Sequence, residues 1–87
     1  MSHILAKLRK VKPADIRKQL KKDADQHAEQ GLYLEHLWQN ADNQDEVYFL
    51  FRADNLERSR AFINKTHSEA RKENPEAVLP EMLYLKD

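Results

Sequence analysis

Four histidines carry most of the chemical potential of this 87-residue chain. His3, His27, His36 and His67 stand far apart, with no pair at i, i+2 or i, i+4, so no local metal-ligand motif is formed. The chain has no cysteine, so a thiolate zinc site, a disulfide framework and a cysteine nucleophile are excluded, and neither a metal nor a cofactor is expected. His27 has the most telling setting. On a helical wheel it projects about 20° from Ile16, on a face whose only large apolar groups are Ile16 and Leu20, because Ala24 and Ala28 are small. Such a thin face can leave a cavity between helix and sheet. His36 and Trp38 stand two residues apart in a strand-like run, and their apolar bodies with polar handles suit a pocket wall, an interface or a sheet core. Arg52 joins them in one of two hairpin registers. If Trp38 pairs with Val47, His36 meets Phe49; a shift of one residue turns His36 toward Leu50 and Arg52. His67 falls at the border of a helix's inner face. His27, His36, Trp38, Arg52 and His67 are the candidate ligand-binding residues. No catalytic set is recognisable. Ser2, Ser59 and Ser68 lack a nucleophile's context, and Gly31, the one glycine, excludes a glycine-rich phosphate loop. Asp45-Glu46 reads as a solvated turn pair, and His3 as a solvated terminal residue.

The elements that must position these residues follow from periodicity. His3 to Val11 alternates as a strand. Pro13 starts a helix running to Gln30, with Ile16, Leu20, Ala24, His27 and Ala28 on one face and Gly31 as its left-handed cap. Leu32 to Asn40 reads as a second strand, with Leu32, Leu34, His36 and Trp38 pointing one way. A polar turn joins it to Glu46–Ala53, rich in aromatic and branched residues, as an antiparallel hairpin. Asp54 or Asn55 caps the next helix, whose inner stripe is Leu56, Ser59, Phe62, Ile63, Thr66 and Ala70, and Asn74-Pro75 ends it. Pro80 leads into a last strand, Met82–Leu85. The order strand, helix, strand, strand, helix, strand is that of an α+β ferredoxin-like βαββαβ unit, a four-stranded antiparallel sheet with two helices on one face. One domain spanning residues 1–87 is expected.

Every strand keeps apolar groups on both faces. Helices cover only one of them, so an apolar patch is left that a second copy would bury; a homodimer is expected. The balance of 15 basic and 15 acidic residues argues against nucleic acid as a partner. No apolar run approaches the roughly 20 residues of a bilayer span, and the N-terminus does not read as a secretory signal, so a cytoplasmic protein without a membrane partner is expected. The neutral total hides an order along the chain: residues 1–22 carry eight cations and one anion, residues 23–50 seven anions and no Lys or Arg, and residues 51–87 seven of each. In a two-fold dimer the basic first segment could meet the acidic hairpin of the other copy. The first helix also places Arg17, Lys18, Lys21 and Lys22 before Asp23, Asp25 and Glu29, the reverse of what a helix macrodipole favours.

Gly31, His36–Asn43, Asp45–Phe51, Asp54–Phe62 and Leu79–Leu85 together resemble the dimeric α/β-barrel superfamily, which includes antibiotic-biosynthesis-type monooxygenases and stress-responsive A/B-barrel proteins. The similarity is one of pattern over almost the whole chain and carries no catalytic signature. It implies two sheets packed into one barrel with helices outside. Two functions follow as expectations: a non-catalytic homodimeric module for small-molecule binding or regulation, or a cofactor-independent monooxygenase-like enzyme with a pocket between sheet and helices. RNA-recognition domains share the strand order, but Glu46–Phe51 lacks their basic and glycine positions.

Overall fold

The computed structural model describes residues 2–87. Their order is β1 (Ser2–Arg9), α1 (Pro13–Lys22), α2 (Ala24–Glu29), β2 (Leu32–Gln39), β3 (Glu46–Ala53), α3 (Leu56–Glu73) and β4 (Glu81–Lys86). The strands form one antiparallel sheet in the order β2-β3-β1-β4, which with the helices makes an α+β ferredoxin-like fold. Alternation places Ile4, Ala6 and Leu8 of β1 and Val47, Phe49, Phe51 and Ala53 of β3 under the helices, all buried. Leu20 of α1, Leu56 and Ile63 of α3 and Leu32 of β2 complete the core. Ser59 is fully buried, and its hydroxyl donates to the Gln30 carbonyl at 3.3 Å, tying α3 to the end of α2. Among the described residues no helix is long and apolar enough to cross a membrane.

Three features depart from the periodic reading. First, β1 ends at Arg9 because Lys10 takes a left-handed backbone (φ 61°) that a strand cannot continue. Second, the expected long helix is two. Asp23 (φ −92°, ψ 2°) separates them, and its carboxylate accepts a 2.8 Å bond from Gln19 Nε2. The break reverses the electrostatic reading: Asp15 now stands in the first turn of α1 and Lys21 and Lys22 in its last, while Asp25 opens α2. Each short helix therefore begins with an anion as its dipole favours, where one long helix would have been mismatched. Third, β2 carries a bulge at Glu35. Leu34 pairs with Phe51, yet His36 pairs with Leu50 and Trp38 with Tyr48. The inserted residue inverts the parity, so Leu32 and Leu34 share the helix-side face of the sheet while His36 and Trp38 point to the opposite one.

Gly31 closes α2 at φ 74°. Its N–H donates to Ala28 O at 3.0 Å, and its carbonyl accepts from Asp54 N, also at 3.0 Å, so the helix end is locked to the start of α3. A methyl group here would sit 3.4 Å from Asp54 Cβ on a left-handed backbone. The left-handed conformation costs a side-chain-bearing residue about 1–2 kcal/mol. Gly31→Ala should therefore lower the thermal midpoint by about 5–15 °C for a domain of this size, read by circular dichroism, with Gly31→Asn milder.

Candidate functional site

The thin inner face of α2 has a structural consequence. Ala24 and Ala28 cannot fill the gap above the sheet, and the His27 ring enters it instead. It meets the Phe51 ring edge-on at 5.2 Å between centroids and the Phe62 ring at 6.4 Å. Beside it lies a cavity of about 280 Å³ between helices and sheet. Leu8, Phe49, Phe51 and Met82 supply its sheet wall, Ile16 and Leu20 of α1 one side, and Phe62, Ile63, Thr66 and His67 of α3 the other; Leu79 and Pro80 close over it from the segment before β4. The polar groups that reach it are few: Gln19, Asp23, His27, Thr66 and His67. A small apolar volume with a handful of convergent polar groups is the usual build of a small-molecule site, though this one lies at the low end of the roughly 300–1,000 Å³ range.

Burial holds the His27 imidazole below its ordinary proton affinity, with the Asp23 carboxylate pulling the other way. His67 is lowered by burial as well, and the Arg71 guanidinium one turn further along α3 adds to it. Both rings are therefore neutral at pH 7 and able to accept a proton or a hydrogen bond. The linkage has a definite sign. A histidine whose folded value is depressed binds fewer protons folded than unfolded, so its contribution is complete above the unfolded value of about 6.5 and is lost as pH falls through the lower folded one. Urea unfolding should show a chain more stable at pH 7.5 than at 5.5, and His27→Leu should flatten that difference; a slope unchanged in the variant would contradict it.

The five sequence candidates divide between two sites. His27 and His67 line the cavity. His36, Trp38 and Arg52 lie across the sheet on its open face, where the bulge turns the first two. There His36 and Trp38 stack with centroids 4.8 Å apart at 15°, and the Arg52 guanidinium lies 4.7 Å from the Tyr33 ring centre. The same face carries Trp38, Leu83 and Leu85 at 47, 50 and 44% exposure. Two residues expected in solvent are held in it. His3 Nε2 pairs with Glu35 Oε1 at 2.9 Å, the bulged residue reaching across β3. Glu46 begins β3, as the strand reading has it, but at only 8% exposure it is not the solvated acid expected of a turn pair. Its carboxylate accepts from the Tyr48 hydroxyl and from Asn40 Nδ2 at 3.3 Å, and pairs with Lys7 Nζ at 3.5 Å and Arg9 Nε at 3.6 Å. The Tyr48 hydrogen bond above all holds this carboxyl below its usual range; burial opposes it, and Asn40 and Lys7 assist. Sequence reasoning did not name Asp23 or Gln19 at the cavity, and it placed Thr66 on the inner stripe of α3 without making it a ligand candidate. Asp23 projects about 20° from Ile16 on the same helical wheel, on the other side from His27, so its place on the inner face was readable from the spacing, whereas Gln19 falls about 60° from Ile16 at the edge of that face. Among the described residues no three His, Asp or Glu side chains cluster closely enough to hold a metal ion.

No family model and no curated protein matches the sequence. Among solved structures, the chain is similar to a proposed antibiotic biosynthesis monooxygenase from Deinococcus radiodurans, with a TM-score of 0.64 and 14% identity over 100% of this chain and 92% of that one. A likeness at that identity establishes the fold: this chain has the ferredoxin-like α+β architecture of that protein, helices on one side of a four-stranded antiparallel sheet.

Proposed function

We propose that this protein is a cytoplasmic homodimeric module that binds an apolar small molecule between its helices and its sheet without transforming it. The observation that carries the reading is the cavity beside His27, apolar on nearly every side and walled by all three layers that meet there: α1 and α2, α3, and the sheet. The imidazoles of His27 and His67 give a ligand two points of orientation, and their neutrality suits an uncharged apolar body. Thermal unfolding with 2-naphthamide and decanamide tests this. A ligand present at about 100 times its dissociation constant adds about 2.7 kcal/mol of stability, a rise in midpoint of roughly 10–20 °C at this chain length. No rise with either probe, and no shift of the His27 or His67 ring signals by NMR, would overturn the binding reading.

Dimerisation is the second half of the proposal. Leu83, Leu85 and Trp38 stand half out of a face that no helix covers, and exposed apolar groups grouped in this way favour a partner surface. Four strands of six to eight residues span about 500 Å² of sheet face per copy. Two such faces approach the lower bound of about 1,000 Å² for a specific interface.

One observation favours a cofactor-independent oxygenase as a second reading. A neutral imidazole in a largely apolar, aromatic cavity is a competent general base for a phenolic or enolic proton, and the structural relative from Deinococcus radiodurans is a proposed monooxygenase. Incubation with polyketide-like phenols under oxygen distinguishes the two: turnover that disappears in His27→Leu selects the enzyme, and binding without turnover selects the module.

A further inference from the structure

The apolar cavity does not end at His67. That side chain, with Pro80 and Met82, also walls an adjoining open groove of about 640 Å³ whose remaining lining is polar and basic, including Ser68, Arg71 and Lys72. The two volumes therefore meet along shared residues, and the more polar and more open one lies on the solvent side. Neither Arg71 nor Lys72 forms an ion pair among the described residues. Arg71 stands one turn beyond His67, near enough for its charge to act on that imidazole. The helix dipole accounts for cations in the last turn of α3. It does not account for a guanidinium lining the groove that adjoins an apolar cavity, with no carboxylate of the described residues within ion-pair distance.

We propose that the ligand is an amphipathic carboxylate, its apolar body in the cavity and its carboxylate in the groove on Arg71. The inference rests on the binding reading above and adds the charge and direction of the ligand. A guanidinium presents a planar fork that matches a carboxylate with two parallel hydrogen bonds. Lys72 adds a second, unforked cation, and neutral His67 stands at the junction, where it can donate to a carboxylate oxygen. The final carbonyls of α3 are partially negative and work against an anion at this end of the helix. Arg71 must therefore do more than supply a bond: it reverses the local field.

Calorimetry at neutral pH and low ionic strength tests the assignment with two matched pairs, 2-naphthoate against 2-naphthamide and decanoate against decanamide. The acid of at least one pair should bind about tenfold more tightly than its amide, the gain expected of a charge-assisted pair at a partly exposed mouth, and added salt should shrink the difference. Arg71→Gln should abolish the preference and Arg71→Glu should invert it, with acid affinity changed far more than amide affinity in both. Arg71 is exposed, so both variants should melt with the parent chain. Equal affinity for acid and amide, or a preference that survives Arg71→Gln, would overturn the carboxylate while leaving the apolar site standing. Failure of all four probes to bind would overturn both.

Discussion

Leu83→Lys combined with Leu85→Lys should yield a folded monomer of 10.3 kDa at tens of micromolar, where the parent chain should run at twice that mass by light scattering if the proposed dimer forms. Both residues lie on β4 and face away from the helices; their partners across β1 are Leu5 and His3. At 50 and 44% exposure they contribute little to the core of one copy, so lysines there are tolerated, and a charged edge strand resists unwanted pairing. In a two-fold interface each substitution counts twice. Removing four leucines at about 1.5 kcal/mol each corresponds to a dissociation constant raised at least a thousandfold. The new ammonium groups also face a surface that already carries Lys7 and Arg52, so like charges would oppose one another across the two-fold. A parent chain that is monomeric at these concentrations, or a double variant that remains dimeric, would remove the sheet face from consideration.

The charge order along the chain suggests another mode, basic α1 against the acidic hairpin of a second copy. The two modes are structurally distinct. Sheet-to-sheet packing leaves both helix layers outside, so Arg17, Lys18 and Lys21 stand on the far side of the sheet from the partner. Lys18→Glu with Lys21→Glu should then leave the dimer unchanged, whereas charge pairing would be weakened by it. The ion-pair network around Glu46 bears on the choice. Glu46 is the hairpin's most buried acid and already holds Lys7 and Arg9 of its own chain, which leaves less acidic charge for a partner's helix to read.

The element order, the hairpin, a cap at Asp54 or Asn55 and the apolar second face were legible because each rests on a local signal: period-two alternation, a polar turn, a short polar side chain before a helical stripe; the structure selects Asn55, whose side chain accepts from Arg58 N at 3.1 Å. What escaped were single-residue irregularities that reset a periodicity. Parity along Leu32–Trp38 assigns His36 and Trp38 to the face of Leu32, and one inserted residue, Glu35, sends them to the other. Glu35 has no propensity that announces a bulge; its tie to His3, 32 positions earlier, appears only when the sheet is assembled. Asp23 is the more instructive case. The inverted charge order of residues 17–29 was visible as a conflict between a helix and its own dipole. Such a conflict is evidence against the assumed element, and it resolves once the helix is divided where the sign changes. The cavity itself was foreshadowed by the alanines of α2, because a missing side-chain volume on an inner face must be filled from elsewhere or left open.

Filling that space by substitution gives the other large effect. Thr66→Trp should reduce probe affinity at least a hundredfold while leaving the fold intact. Thr66 lines the cavity from the exposed flank of α3. A helical side chain leans back over the preceding turn, so an indole at this position is carried toward Phe62 and Ile63 and into the volume a ligand would occupy. The cost to stability is small for three reasons. The site is open on one side, so the ring is not forced into a packed core. Thr and Trp have similar helix propensities. The lost hydroxyl bond to the Phe62 carbonyl at 2.9 Å is of the kind that slightly disfavours a helix. A ligand excluded from about 150 Å² of apolar contact loses about 4 kcal/mol of binding, which exceeds the hundredfold threshold. On a Trp38→Phe background the added tryptophan also reports on its own burial: its emission should be blue-shifted relative to a solvated indole, since an indole that fills the cavity is desolvated. A blue-shifted indole with probe affinity unchanged would mean that the probes bind elsewhere, and the site between helices and sheet would be lost as the seat of recognition.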